Sequence, residues 1–174
     1  MCELISTDFP LSLSARRMFF RSALACGRVV CLGKSEPSGK LADPSAVIPF
    51  EDLLREADHL IVEADGAAGR PLKTHRPWEP VIPPCSDLAV CLVGAAGIGR
   101  QVSEACHCPE LFASLAGISS DCPAEPEHIA AVINRENLGD CFLVNQADTQ
   151  PDPEPVRRLC ELISRDAFPC SLAP

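Results

Sequence analysis

The chain has no tyrosine and a single tryptophan, and aromatic residues make up only 5% of its 174 positions. Its core must therefore be built from Leu, Val, Ile and Ala. Positive charge is also short: 15 Lys and Arg stand against 24 Asp and Glu, a formal net charge of −9. That balance argues against a general nucleic-acid binder, whose face must be basic to meet phosphates. A local basic patch could still serve an anion, because net charge says nothing about distribution. No run approaches the ~20 apolar residues that span a bilayer, so no membrane partner is expected. The opening MCELISTDFPLSLSARRMFF has no continuous apolar stretch ahead of a small-residue cleavage site and does not read as a secretion signal. A phosphate loop of the form Gly-x-x-x-x-Gly-Lys-Ser/Thr is missing too. Gly27 and Gly33-Lys34-Ser35 come near it, but five residues separate the glycines where four are needed, and those five read as a strand.

Cysteine, by contrast, is plentiful: eleven, an odd number, scattered from Cys2 to Cys170. A secreted disulfide scaffold would be shorter and would carry a leader. The expectation is a cytoplasmic protein with reduced thiols, most of which (Cys31, Cys91, Cys141) lie in apolar runs as small hydrophobes. The length suits a single α/β domain over residues 1–174.

In chain order, residues 1–10 read as a loop. LSLSARRMFFRSALA (11–25) reads as a helix with Leu13, Met18, Phe19 and Leu24 on one side, stopped by Gly27. RVVCLG follows as a buried strand, and a Ser/Pro/Gly-rich loop leads to the short helix FEDLLREAD. HLIVEA (59–64) is expected as a second strand, and the proline-rich 66–86 as irregular. DLAVCLVG is a third strand and CFLVNQAD a fourth. Helices are expected over PELFASLAG, over 125–133 and over PDPEPVRRLCELISRD. Strands that are apolar throughout, alternating with helices, predict one parallel sheet covered on both faces. Ligands of such sheets bind beyond the carboxyl ends of the strands. Two strands end there in polar groups: Glu63-Ala64-Asp65-Gly66 and Asn145-Gln146-Ala147-Asp148.

Glu63 and Asp65 stand two apart, so on a strand they point the same way. After an apolar run they are placed to hold Mg²⁺ through water, or else to cap a loop and pair with Arg70 or Lys73. Asn145 to Asp148 is similar to the Asn-Lys-x-Asp element that reads guanine, with Gln146 in place of the lysine; the bland alternative is a polar strand-to-helix turn. Cys106-His107-Cys108 offers soft donors for zinc or selenium, but four ligands are needed and no second pair with metal spacing occurs. His75 and Trp78, beside Lys73 and Arg76, form either a solvated loop or an anion pocket facing the acids.

VEADGAAGRPLK, then WEPVIPP, LVGAAGIG, HCPELFASLAG and LVNQAD, in that order, resemble the YqeC family. These are accessory proteins of selenium-dependent molybdenum hydroxylases, also called selenium cofactor biosynthesis proteins. The resemblance implies a three-layer, mostly parallel sheet of the P-loop NTPase type. It implies a role in maturing a labile selenium ligand on a molybdenum cofactor, with the hydroxylase or its cofactor as partner. Carried over by position, the nucleotide-binding residues are Asp65, Gly66, Asn145 and Asp148, with Mg²⁺ and GTP or ATP as cofactors and Glu63 and Asp65 near the metal. Arg70, Lys73, Glu79 and His107 would meet an anion or substrate. Family members carry a strand and a Gly-Lys-Thr loop ahead of this region, so the chain is expected to be N-terminally truncated against that pattern. The alternative is a non-enzymatic module that docks a partner or cofactor, its nucleotide site vestigial.

Overall fold

The computed structural model describes residues 2–6, 13–35, 37, 41–42, 44–45 and 48–172. Its contacts divide into two compact units, Met1–Val62 and Glu63–Pro174.

In the first unit, β1 (Cys2–Ser6) pairs in parallel with β2 (Val29–Ser35), and the two are joined through α1 (Leu13–Ala25). β3 (Leu41–Ala42) adds an antiparallel edge to β2. The strand at Cys2–Ser6 replaces the expected loop; Asp8-Phe9-Pro10 lies outside the described residues. α1 ends at Ala25 as expected, with Gly27 at φ +66° donating to the Leu24 carbonyl, a conformation that glycine adopts without a Cβ penalty. Its buried face shares Leu24 with the expected one, packed against the Phe20 cluster, and differs at Met18. Phe20 and Ala23 turn inward while Met18 is 68% exposed. Phe20 packs with Ile48 and with Leu53 of α2 (Phe50–Leu54), a helix shorter than expected.

No strand forms over residues 59–64, and this corrects the second expected strand. Its apolar side chains find no ladder: Ile61 is 95% exposed, and Leu60 packs only at the edge of the small Phe20 cluster. An apolar run becomes a strand when a neighbour completes its hydrogen bonds, and none of the described residues does so here.

The second unit is built on a parallel sheet ordered β5–β7–β8, with β5 at Val90–Gly94, β7 at Cys141–Asn145 and β8 at Asp166–Pro169. A separate pair joins β4 (Leu72–Lys73) to β6 (Cys106–His107), which follows α3 (Val102–Ala105). The described strands thus form three small sheets in place of the single expected one. What holds is an α/β chain with mostly parallel strands. On one sheet face Val93, Phe142 and Val144 are buried against a core that includes Phe112 of α4 (Pro109–Ala116), Ile129 and Val132 of α5 (Pro126–Glu136), and Leu159 of α6 (Glu154–Leu162). Each such side chain contributes about 1.5–3 kcal/mol by leaving water. On the other face Val90, Leu92 and Phe168 remain roughly half exposed, so apolarity throughout a strand does not guarantee two covered faces.

α6 stops at Leu162, short of the expected Asp166. Asn134 of α5 explains the stop: its Nδ2 donates to the Leu162 carbonyl at 2.9 Å and its Oδ1 accepts from the Ser164 N–H at 2.8 Å. One amide satisfies a helix-end carbonyl and the next free donor, and the chain turns into β8.

Candidate functional site

Asp65 lies in an irregular segment pinned at both ends. Its Oδ1 accepts from the Gly66 N–H at 2.9 Å, and the Val81 N–H donates to the Ala64 carbonyl at 3.2 Å. Five residues on, Arg70 donates to the carbonyls of Ser103 and Glu104 at the end of α3. The next residues have no freedom to shift. The Gly94 N–H donates to the Pro71 carbonyl at 2.8 Å, and a Cβ at Gly94 would fall 2.7 Å from Pro71 Cβ. Leu72 is 3% exposed and presses on Gly97, where a Cβ would lie 2.6 Å from Leu72 Cγ. β4 is therefore held by backbone pairing with β6 and by two glycines that let it approach.

That anchoring aims Lys73 at Asp65. Lys73 Nζ lies 2.5 Å from both Asp65 oxygens, 3.0 Å from the Gly66 carbonyl and 3.3 Å from Glu79 Oε2. Its side chain is only 9% exposed. Thr74 is fully buried, and its N–H donates to the His107 carbonyl. His75 then faces two carboxylates. Nε2 is 3.3 Å from Asp65 Oδ2, Nδ1 is 3.0 Å from Glu136 Oε2, and the His75 backbone N–H donates to Glu136 Oε1 at 2.7 Å. Only a doubly protonated ring donates on both sides; a neutral one serves a single carboxylate. Asp65 Oδ2 is buried and receives no well-aligned hydrogen bond, although Lys73 and His75 stand beside it.

Five side chains thus converge: Asp65, Lys73, His75, Glu79 and Glu136. Three carboxylates share one ammonium and one imidazole, with the Arg76 guanidinium 4.0 Å from Glu79 at the rim. Glu79 is held below the usual carboxylate range, chiefly by the Arg76 backbone N–H and further by Lys73 and Arg76. Below the cluster, burial pushes the Cys91 thiol up to about 11, with Glu136 and Asp65 adding to the rise. Burial likewise raises Cys106 to about 11, against hydrogen bonding from Thr74.

Of the residues that sequence singled out, Asp65, Gly66, Lys73, His75 and Glu79 come together. His107 contributes its backbone to the β4–β6 pair, opposite Lys73 in register. Glu63 is exposed. Arg70 is committed to the α3 carbonyls. Asn145 and Asp148 engage the C-terminal segment: Asn145 Oδ1 accepts from the Leu172 N–H at 2.8 Å, and the Ser171 hydroxyl donates to Asp148 Oδ1 at 2.5 Å. The Mg²⁺ expected at Glu63 and Asp65 finds no donor set there: Glu63 is exposed and Lys73 fills the space beside Asp65, so the residues present do not fit a resident metal. Among the described residues no three His, Cys, Asp or Glu side chains converge to hold one. A cavity of about 320 Å³ lies elsewhere, between α6 and β8, lined by Val156, Cys160, Ala167 and Pro169. Among the described residues no helix is long and apolar enough to cross a membrane.

Sequence reading missed Glu136. It closes α5, where a carboxylate meets the negative end of the helix dipole. Here His75 supplies the donors that hold it.

An α/β chain with a charged cluster at Asp65 has a family. The pattern of the YqeC family, described as YqeC protein, matches residues 5–110, more than half of the chain, and the chain belongs to that family. A curated relative from Escherichia coli (strain K12), "Uncharacterized protein YqeC", is 33% identical over 79 residues. That alignment takes in 45% of this chain and 31% of the relative, so the chain spans about a third of that protein's length. No solved structure matches.

Proposed function

We propose that the chain is an accessory protein in the maturation of selenium-dependent molybdenum hydroxylases, with the cluster around Asp65 as its working site. Membership in the YqeC family supports the role, through the function that the resemblance implies. The observation that carries the site is the convergence on Asp65 of Lys73 Nζ at 2.5 Å and His75 Nε2 at 3.3 Å, all three side chains largely buried. Drawing charged groups together out of water costs free energy unless they are paired, and such a gathering marks a candidate site. The Glu136–His75–Asp65 line can hold and pass a proton, and Lys73 offsets the charge of the carboxylates. The test is a cell that makes such a hydroxylase but lacks this chain, complemented with wild type or with Asp65→Asn. Selenium per molybdenum in the purified hydroxylase should drop without the chain, return with wild type and stay low with Asp65→Asn. An unchanged ratio in the cell lacking the chain sinks the role; full rescue by Asp65→Asn sinks the site.

A second reading is a docking module that holds a partner or cofactor without chemistry, its nucleotide site vestigial. The internal commitments of Arg70, Asn145 and Asp148 favour it, since a GTP or ATP would have to displace all three. Titration of labelled GTP and ATP with Mg²⁺ separates the two: tight nucleotide binding lost in Asp148→Ala would rule the docking reading out.

A further inference from the structure

Lys73 gathers oxygens of the kind that hard divalent cations also take, while no three acidic, His or Cys side chains among the described residues meet to hold one as the chain stands. Of these oxygens, two come from the Asp65 carboxylate, one from the Gly66 carbonyl and one from Glu79, at 2.5, 2.5, 3.0 and 3.3 Å. Carboxylate and carbonyl oxygens are the ligands of Mg²⁺, Mn²⁺ and Ca²⁺. In this chain a primary ammonium sits there instead, and its three N–H donors match Asp65, Gly66 and Glu79 one for one. The lysine did not drift in from solvent. Its backbone is locked by the β4–β6 pair, by Leu72 on Gly97 and by Pro71 on Gly94.

We propose that Lys73 is a built-in counter-cation occupying a latent divalent-cation site, so that Asp65 and Glu79 are neutralised from within the chain and a metal ion enters only when the lysine is removed. The charge logic follows. Two carboxylates held against one ammonium repel each other unless a cation lies between them, and Lys73, its backbone fixed by the β4–β6 pair, supplies that cation. This assignment stands whether or not the chain serves a hydroxylase, because it concerns occupancy of that site alone.

Mn²⁺ read by electron paramagnetic resonance tests it on the full chain. Wild type should bind no Mn²⁺ that Asp65→Asn abolishes. Lys73→Ala should bind one Mn²⁺ per chain, and Lys73→Ala/Glu79→Gln should bind it about 10-fold or more weakly, the usual loss for a missing ligand or its support. A folded Lys73→Ala chain without Mn²⁺ overturns the proposal, as does wild-type binding that depends on Asp65. Because Lys73→Ala exposes two uncompensated acids and can unfold the chain, a second measurement uses wild type alone. Acetylation of Lys73, followed by mass spectrometry, should run about tenfold or more slower than for a free amine, as expected for a held ion pair, and should not change with added Mg²⁺. Acceleration by Mg²⁺ means that the metal displaces the lysine, and the proposal fails.

Discussion

Glu136 makes the sharpest stability prediction. Its side chain is 11% exposed and supplies two acceptors to one residue, Oε1 to the His75 backbone N–H at 2.7 Å and Oε2 to Nδ1 at 3.0 Å. Hydrogen bonds to a charged group are worth about 1.5–3 kcal/mol each, and an orphaned buried donor costs about 1–3 kcal/mol. Against that, removing the acid relieves an unfavourable helix end by about 0.3–1 kcal/mol and eases repulsion with Asp65. Glu136→Ala should therefore cost about 2–3 kcal/mol in urea unfolding at neutral pH. Glu136→Gln keeps an acceptor for the backbone N–H and should cost about 1 kcal/mol. A double-mutant cycle divides the two halves. In a His75→Ala background the ring is gone but the backbone N–H remains, so Glu136→Gln should fall within ~0.5 kcal/mol of neutral while Glu136→Ala still costs about 1 kcal/mol. The reasoning is refuted if Glu136→Ala is neutral, or if the cost of Glu136→Gln is unchanged when the ring is absent.

Alkaline pH should weaken the second unit. Cys91 and Cys106 rise from 9.0 to about 11, so their protonated forms stabilise the fold fully below pH ~9, and that contribution is lost as pH climbs through ~11, by up to roughly 2.7 kcal/mol per thiol. Urea midpoints from pH 8 to 10.5 should fall, and the slope should flatten in Cys91→Ala; an equal slope in both proteins contradicts the assignment. Gly94→Ala drives a methyl into the Pro71 backbone at 2.9 Å, so it should cost about 1–3 kcal/mol by overpacking and loosen Lys73, read as faster acetylation. Asn134→Ala strips the Leu162 carbonyl and the Ser164 N–H of their partner and should cost about 1–2 kcal/mol, with faster amide exchange at residues 163–169.

Elements whose signals are local were legible. α4 starts with a proline after Cys108 and ends at Gly117 with φ +74°, and α5 opens with Pro126 and an acid; both appear close to where the sequence puts them. Elements decided by distant partners were not. Cys2–Ser6 and Asp166–Pro169 carry no strong strand pattern, yet each pairs along a parallel neighbour. Residues 59–64 carry the pattern and find no neighbour. The end of α6 is fixed by an amide 28 positions earlier, which no window on the helix itself contains.

At the candidate site the same division holds. Asp65 stands out because an acid after an apolar run needs a reason, and the structural alternative for it, pairing with Lys73, is present eight residues on. Glu136 stands 61 positions from His75 and looks like an ordinary helix-end acid. Three carboxylates meet at the cluster, and two cation-forming side chains are shared among them. Lys73 serves Asp65 and Glu79; His75 serves Asp65 and Glu136. Asp65 is the carboxylate common to both, so neutralising either neighbour should propagate through it. His75→Gln, which keeps an amide near Glu136 but removes the second ring nitrogen, should therefore speed acetylation of Lys73 only slightly while Asp65→Asn speeds it strongly. Equal acceleration by the two would show that the cluster is a loose surface network, with no carboxylate at its centre.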